Sequence, residues 1–343
     1  MGIPVYLSSG NLDAPIIAAV MASICSNTKS DVNFYIIDGF LTYYNKQKII
    51  GLKKFFKNFT IQFIRLNLKP WLEKYPELSK LDKGILIKYL MPTLIDDLDK
   101  AFLIEKDILF LKGGNIEELF KTDLQGFIMA AVPLATMLAD GLWNRKRLAN
   151  ISKIGLSSIE AVFDPGMILV DVKKWNQENT TDKLFNITKE LVNAHKFFDC
   201  YDGLFKLLDG HYLKLNKSWN VPYHYAQMFY IGKKFSQEDM RILHFNYTGE
   251  NKKPWNNKEL DGACYFWKYA ELTLYKDYLL QNPPSRIHDP TYWAKLKFRR
   301  KIINLIIKCL VSRKRYKKLK THTDQFFADS KSKVIRYLGK LYF

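Results

Sequence analysis

The stretch "DKAFLIEKDILFL", residues 99–111, decides the reading of the fold, because an apolar run of strand composition is interrupted at its centre by Glu105, Lys106 and Asp107. Charges in the middle of a buried strand cost several kcal/mol or more each unless they meet a partner, on the order of the penalty for desolvating an ion. The strand therefore breaks at the charged tripeptide, and the charges stand either in a turn or against a ligand. In open parallel sheets ligands bind beyond the carboxyl ends of the strands, which makes this break a candidate site.

Working outward, the segments on the amino-terminal side alternate. "IPVYLSS" reads as a strand, "SGNLDAP" as a polar loop and "IIAAVMASICSN" as an apolar helix. "VNFYIIDG", "NKQKIIGLKKFFKNF" and "TIQFIRLN" then read as strand, amphipathic helix and strand. That order predicts parallel crossovers and a doubly wound α/β sheet. "KGILIKYLMPTLI" is a helical stretch ended by a proline turn, and "FIMAAV" and "GMILVDVKKW" add strands, joined by a connection over about 134–160 that is expected to be helical. Past "LHFNYTGENKKPW" come aromatic helices to about residue 285, a break at "QNPPSRIHDP" and a basic helical tail. The expected division is an α/β domain over 1–265 and a helical basic region over 266–343.

The chain of 343 residues is 48% hydrophobic, ample for a core, and its 53 Lys and Arg against 34 Asp and Glu give a net charge of +19. An anionic partner is implied. Residues 295–343 hold sixteen Lys or Arg against two Asp, a net +14. "KLKFRRKIINLIIKCLVSRKRYKKLK" interleaves apolar and basic residues at helical spacing, as a helix lying in a headgroup layer does, and each such Lys or Arg contributes about 1 kcal/mol against an anionic leaflet. A solvated face packed on its own domain is the other reading. Nucleic acid is not an expected partner, since no recognised binding module accompanies the charge. Cys25, Cys200, Cys264 and Cys309 stand far apart, without the CxxC spacing of a zinc site or a disulfide framework, so a reducing, cytoplasmic setting is expected. No window reaches the 18 or so apolar residues of a spanning helix, so a membrane would be met from its surface, as a peripheral protein meets it.

Glu105 and Asp107 are two apart, so on extended backbone their side chains point the same way and form a hard-oxygen half-site for Mn²⁺ or Mg²⁺. His244 offers an imidazole as third ligand, Gly249 lets backbone approach a phosphate, and Lys252 or Lys253 supplies a point charge. Together these make a candidate loop over a nucleotide diphosphate.

In order and in flanking residues, the segments "IPVYLSSGNLDAPIIAAVMASI", "VNFYIIDG", "DKGILIKYLMPTLIDDLDKAFLIEKDILFL", "IEELFKTDL", "DPGMILVDVKKWNQEN" and "HFNYTGENKKPW" resemble glycosyltransferase family 8 over about residues 3–256. The resemblance implies a GT-A fold, a Rossmann-like, mostly parallel mixed sheet flanked by helices. It also implies retaining, metal-dependent transfer of a hexose from a UDP-sugar to a glycan or lipid-linked acceptor of the lipopolysaccharide or lipooligosaccharide kind.

Carried over residue by residue, the resemblance puts metal ligands at Glu105, Asp107 and His244. It puts the nucleobase loop at Ser8, Ser9, Gly10, Asn11 and Asp13, and donor contacts at Lys83, Lys88, Lys106, Gly249 and Lys253. A sugar-binding turn falls at Asp164 and Gly166, and Asp202 joins Asp164 near the reacting carbon. Several positions depart from the family pattern. Glu105 replaces an aspartate, Gly10 an acidic residue, Pro133 an aspartate, and Asp164-Pro165 an asparagine and a small residue, while Cys200-Tyr201 leave only Asp202 of an acidic triplet. The alternative these departures raise is a GT-A scaffold that binds or regulates an active partner without transferring sugar.

Overall fold

A computed structural model describes residues 2–134, 151–197, 200–222, 240–245, 253–256 and 262–277. The expected alternation is realised as β1 (Ile3–Gly10), α1 (Ala14–Ser26), β2 (Val32–Gly39), α2 (Tyr43–Ile50), β3 (Phe59–Ile64), α3 (Lys69–Lys74) and α4 (Lys83–Leu90). The interrupted run then gives two strands, β4 (Lys100–Ile104) and β5 (Ile108–Phe110). After α5 (Ile116–Phe120) come β6 (Met129–Pro133), β7 (Phe163–Asp171), α6 (Val172–Gln177), α7 (Thr180–Asn193) and α8 (Asp202–Leu208). The short strands β8 (Leu213–Lys214), β9 (Val221–Pro222) and β10 (Ile242–His244) and the helix α9 (Ala263–Ala270) complete the described elements.

Seven strands form one sheet in the order β3-β2-β1-β4-β7-β6-β8. The pairs β3–β2, β2–β1, β1–β4 and β6–β8 are parallel, while β7 runs antiparallel to both its neighbours, so the sheet is mixed. From β1 the chain first adds β2 and β3 on one side and then returns to add β4 on the other. The crevice beyond the carboxyl ends of β1 and β4 is thus a topological switch point, where open sheets of this kind bind ligands. It receives the Ser8–Asp13 loop from one strand and Glu105 from the other.

The charged tripeptide breaks the run because the chain changes sheets there. Strand β5 belongs to a second, three-stranded sheet in the order β5-β10-β9. Helix α1 is buried from Ala14 to Cys25, as expected of a helix apolar all round. Its Ser23 hydroxyl accepts from the Phe110 N–H at 3.1 Å, and Asn27 donates to the Phe110 carbonyl at 3.2 Å and the Tyr269 hydroxyl at 2.9 Å, which ties α1 to β5 and α9. In the aromatic stretch past residue 256, Phe266, Tyr269 and Tyr275 are buried in the core. Helix α9 crosses residue 265. Most of the connection over 134–160, the Gly249 and Lys252 positions, and the basic tail over 295–343 lie outside the described residues. No helix among the described residues is long and apolar enough to cross a membrane.

Beside the switch point, Asp38 near the end of β2 is buried; its carboxylate accepts the Leu41 N–H at 2.6 Å and pairs with Lys46 at 2.6 Å and, more distantly, Arg65 at 3.8 Å. Burial pushes this carboxyl up, but the Lys46 bond, the Leu41 N–H and the two cations outweigh it and hold the group below its ordinary range. A carboxyl lowered by folding contributes stability above its unfolded pKa and loses that contribution as pH falls through the folded value. Asp38→Asn should therefore flatten the acid limb of a plot of Tm against pH and cost about 1–3 kcal/mol at neutral pH, read by urea denaturation. An unchanged acid limb would show that Asp38 does not hold this corner.

Candidate active site

The turn Glu105-Lys106-Asp107 is gripped from both sides. The Glu105 N–H donates to the Gly166 carbonyl at 2.8 Å on β7, and the Asp107 carbonyl accepts the Phe245 N–H at 2.8 Å just past β10. Strand β10 pairs His244 with Ile108 in antiparallel register, so the last residue of one strand faces the first of the other. That pairing brings a remote histidine to two acids separated from it by more than a hundred residues. Glu105, Asp107 and His244 each offer one ligand atom within 4.8 Å of the others.

The imidazole is aimed. Its Nδ1 lies 3.0 Å from Asp164 Oδ1, and Asp164 in turn accepts the Gly166 N–H at 2.9 Å. A carboxylate on Nδ1 orients the ring so that Nε2 faces Asp107 Oδ1 at 3.3 Å and Glu105 Oε2 at 3.8 Å. Nε2 is buried and makes no hydrogen bond of good geometry. An orphaned buried ring nitrogen, two hard carboxylate oxygens, and a further carboxylate fixing the ring from behind are the donor set and support that a Mn²⁺ or Mg²⁺ site uses. The residues present fit such an ion.

Three carboxylates meet three cations in this cluster. Lys88, on the buried face of α4 with Ile85 and Tyr89, donates to Glu105 Oε1 at 2.9 Å and to the Pro165 carbonyl. Lys253 donates to Asp107 Oδ2 at 2.6 Å and to the Phe245 carbonyl. Burial alone would depress the His244 imidazole, but Asp164 and Asp107 outweigh it and push it up to about 10. By the same interactions, and against the effect of burial, Asp107 is held well below the usual carboxylate range with help from Lys253, and Asp164 is lowered with help from the Gly166 N–H. A cation at Nε2 competes with the proton there.

Close packing sets a further condition. A β-carbon on Gly166 would stand 2.4 Å from His244 Cε1 and 2.9 Å from Nε2, so only glycine lets the ring lie against β7. Gly166→Ala should displace the imidazole, cost about 1–3 kcal/mol by overpacking and weaken metal binding. Thermal denaturation and a Mn²⁺ titration check this, and a variant unchanged in both would contradict the packing.

The other expected site residues fall in several places. Lys106 turns away from the acids and pairs with Asp13 at 2.6 Å, tying the end of β4 to the loop after β1. Asn11 is exposed; it donates to the Phe40 carbonyl and accepts the Thr42 N–H at 2.7 Å, so it joins the ends of β1 and β2. Ser8 is exposed, and Ser9 is buried with its hydroxyl donating to the Gly10 carbonyl. Lys83 is exposed on the first turn of α4. The resemblance puts Asp164 beside the reacting sugar, yet its carboxylate is turned onto His244 because the imidazole, buried as a cation, needs a counter-charge. Asp202 is buried at the first residue of α8.

The sequence shows Tyr201 only as a loss from an acidic triplet, yet its side chain reaches Glu105. The phenol donates to Glu105 Oε1, and the Lys88 ammonium lies 4.7 Å from the ring centroid. Burial and the Glu105 charge hold the phenol well above its ordinary range, so it stays a donor. The signal available in the sequence was the coincidence of two departures, a longer acid at 105 and a phenol at 201.

Comparison with known proteins bears on the family and the fold. The family model described as glycosyl transferase family 8 matches residues 10–259. A Haemophilus influenzae protein named as a glycosyltransferase is 27% identical over 258 residues, which cover 74% of this chain and 73% of that one. The lipopolysaccharide 1,2-glucosyltransferase of Escherichia coli K12 is 26% identical over 229 residues, 64% of each chain. Among solved structures, the galactosyltransferase LgtC, in complex with donor and acceptor sugar analogues, matches with a TM-score of 0.61 at 18% identity over 79% of this chain and 96% of its own. That likeness is one of fold, and the mixed sheet with its flanking helices is the GT-A arrangement.

Proposed function

The chain belongs to glycosyltransferase family 8, and from that premise we propose that it is a metal-dependent transferase moving a hexose, with retention, from a UDP-linked sugar to a glycan or lipid-linked acceptor. The observation that carries this reading is the convergence of Glu105, Asp107 and His244 at the switch point between β1 and β4. A divalent ion held by these three would offset charge on the departing diphosphate. The chain's own groups do the rest. Asp164 keeps the His244 ring in the orientation that presents Nε2. Lys253, half-buried beside Asp107, is the cation that would neutralise phosphate oxygens. The Ser8–Asp13 loop, held by Lys106 and stitched to β2 through Asn11, frames the nucleoside side. The family resemblance assigns Gly166 and Asp202 to the sugar and Lys83, exposed on the first turn of α4, to the donor. The relative named for lipopolysaccharide glucosylation supports a glycan acceptor of that class.

A second reading rests on one specific observation: each carboxylate of the cluster already has a cationic partner, Lys88 on Glu105, Lys253 on Asp107 and His244 on Asp164. A network so balanced suits a scaffold that binds or regulates an active transferase. Hydrolysis of radiolabelled UDP-hexoses separates the two. Slow release of free hexose that depends on Mn²⁺ supports the transferase. Neither hydrolysis nor Mn²⁺-enhanced UDP binding would leave only the scaffold.

The basic residues of 295–343 suit a peripheral protein working at the anionic cytoplasmic face of a membrane on lipid-linked acceptors. Deleting them should release the protein from vesicles containing phosphatidylglycerol while leaving turnover of a soluble acceptor intact. Retained binding would exclude this role for the tail.

A further inference from the structure

Glu105 raises a geometric problem. Its backbone is fixed by the bond from its N–H to the Gly166 carbonyl, while its side chain is one methylene longer, and has one more rotatable bond, than the aspartate the family pattern places there. A longer, freer carboxylate holds an ion less well unless something restrains it, since a ligand group gains from having its rotamer locked by its neighbours.

The restraint is present. One oxygen, Oε1, receives two donors, the Lys88 ammonium at 2.9 Å and the Tyr201 hydroxyl. The other, Oε2, faces His244 Nε2 at 3.8 Å. The two donors come from different elements: Lys88 from the buried face of α4 and Tyr201 from the residue preceding α8. They also brace one another, with Tyr201 accepting the ammonium over its ring and the Lys88 Nζ 3.4 Å from the Tyr201 hydroxyl. Lys88 is anchored a third time by the Pro165 carbonyl, next to Gly166.

We propose that Tyr201 and Lys88 are positioning residues that hold Glu105 by Oε1 so that Oε2 alone is presented toward His244 Nε2 and Asp107 as a one-oxygen ligand for a divalent cation. This inference rests on the metal-site reading of Glu105, Asp107 and His244. The departures at 105 and 201 are, on this account, two halves of a single compensation: the phenol takes up the length that the glutamate adds.

The test is a double-mutant cycle read by Mn²⁺ binding alone, by calorimetry and by the electron paramagnetic resonance of the bound ion, with no sugar transfer involved. Tyr201→Phe removes only the hydroxyl and should weaken Mn²⁺ about 10- to 100-fold, the usual effect of losing a group that supports a ligand. In a Glu105→Asp background the shorter carboxylate no longer reaches the phenol, so Tyr201→Phe should change the Kd by no more than about twofold. Lys88→Met should show the same dependence on the length of residue 105 and serves if the Tyr201 variant misfolds. Equal losses in both backgrounds would mean a general structural role and overturn the proposal. So would an unchanged Kd in Tyr201→Phe, provided Asp107→Asn still abolishes binding. Wild type and Asp107→Asn binding Mn²⁺ alike, or not at all, would instead defeat the metal-site reading itself, and the proposal with it.

Discussion

Asp107→Asn is expected to abolish Mn²⁺-enhanced UDP binding and to lower sugar transfer by about 10²- to 10³-fold, the scale of losing one fixed group that meets charge developing in a transition state. The substitution keeps the shape of the side chain and removes its charge. Oδ1 stands 3.3 Å from His244 Nε2 and Oδ2 2.6 Å from Lys253, so one carboxylate serves both the proposed cation position and the lysine proposed to meet the diphosphate. With the charge gone, Lys253 and the imidazole are left with surplus positive charge and the ion loses its most deeply buried oxygen ligand. The fold should survive, since the Asp107 backbone bond to Phe245 does not depend on the side chain. A variant that transfers sugar within a few-fold of wild type would place the chemistry elsewhere.

The second large effect is on stability. Asp164 and His244 are each almost fully buried, at 2% and 3% exposure, and they pair as carboxylate and imidazolium. Removing one member of such a pair leaves the other charge without its partner and costs about 3–5 kcal/mol. Asp164→Ala should lower the urea midpoint accordingly and weaken Mn²⁺ about 10- to 100-fold, because the ring is no longer held with Nε2 outward. Asp164→Asn keeps an oxygen for the Gly166 N–H and for Nδ1–H but loses the charge, so it should fall between the two. Stability and metal affinity must drop together along this series. A drop in one without the other would separate the ring's orientation from the ion.

Much of this arrangement was legible because local composition and topology agree. Glu105-Lys106-Asp107 inside an apolar run marked a break in the strand, at a turn or against a ligand, and alternation on the amino-terminal side made the sheet doubly wound. His244 was legible by its place at the end of a short apolar run. What brings it to the acids is the β5–β10 pairing, a contact across more than a hundred residues that no local pattern encodes. The role of Asp164 was legible only as a position in a motif, because which way a buried carboxylate turns is decided by the cation packed against it. Tyr201 was hidden for a related reason. A phenol within what the family pattern makes an acidic triplet reads as a loss, and only the placement of α4 and β4 shows its hydroxyl meeting Glu105. The antiparallel insertion of β7 between β4 and β6 likewise depends on pairing partners far apart in the chain.

On the proposed reading, Glu105, Asp107 and His244 bind one divalent ion together with a nucleotide diphosphate. Titrating Mn²⁺ into the protein by calorimetry, with and without UDP, tests it most directly when the same titration is run on Asp107→Asn. Saturable binding of one ion per chain, tighter when UDP is present and lost in the variant, is expected. Heats of binding that are absent in the wild type, or the same in both proteins, would contradict it.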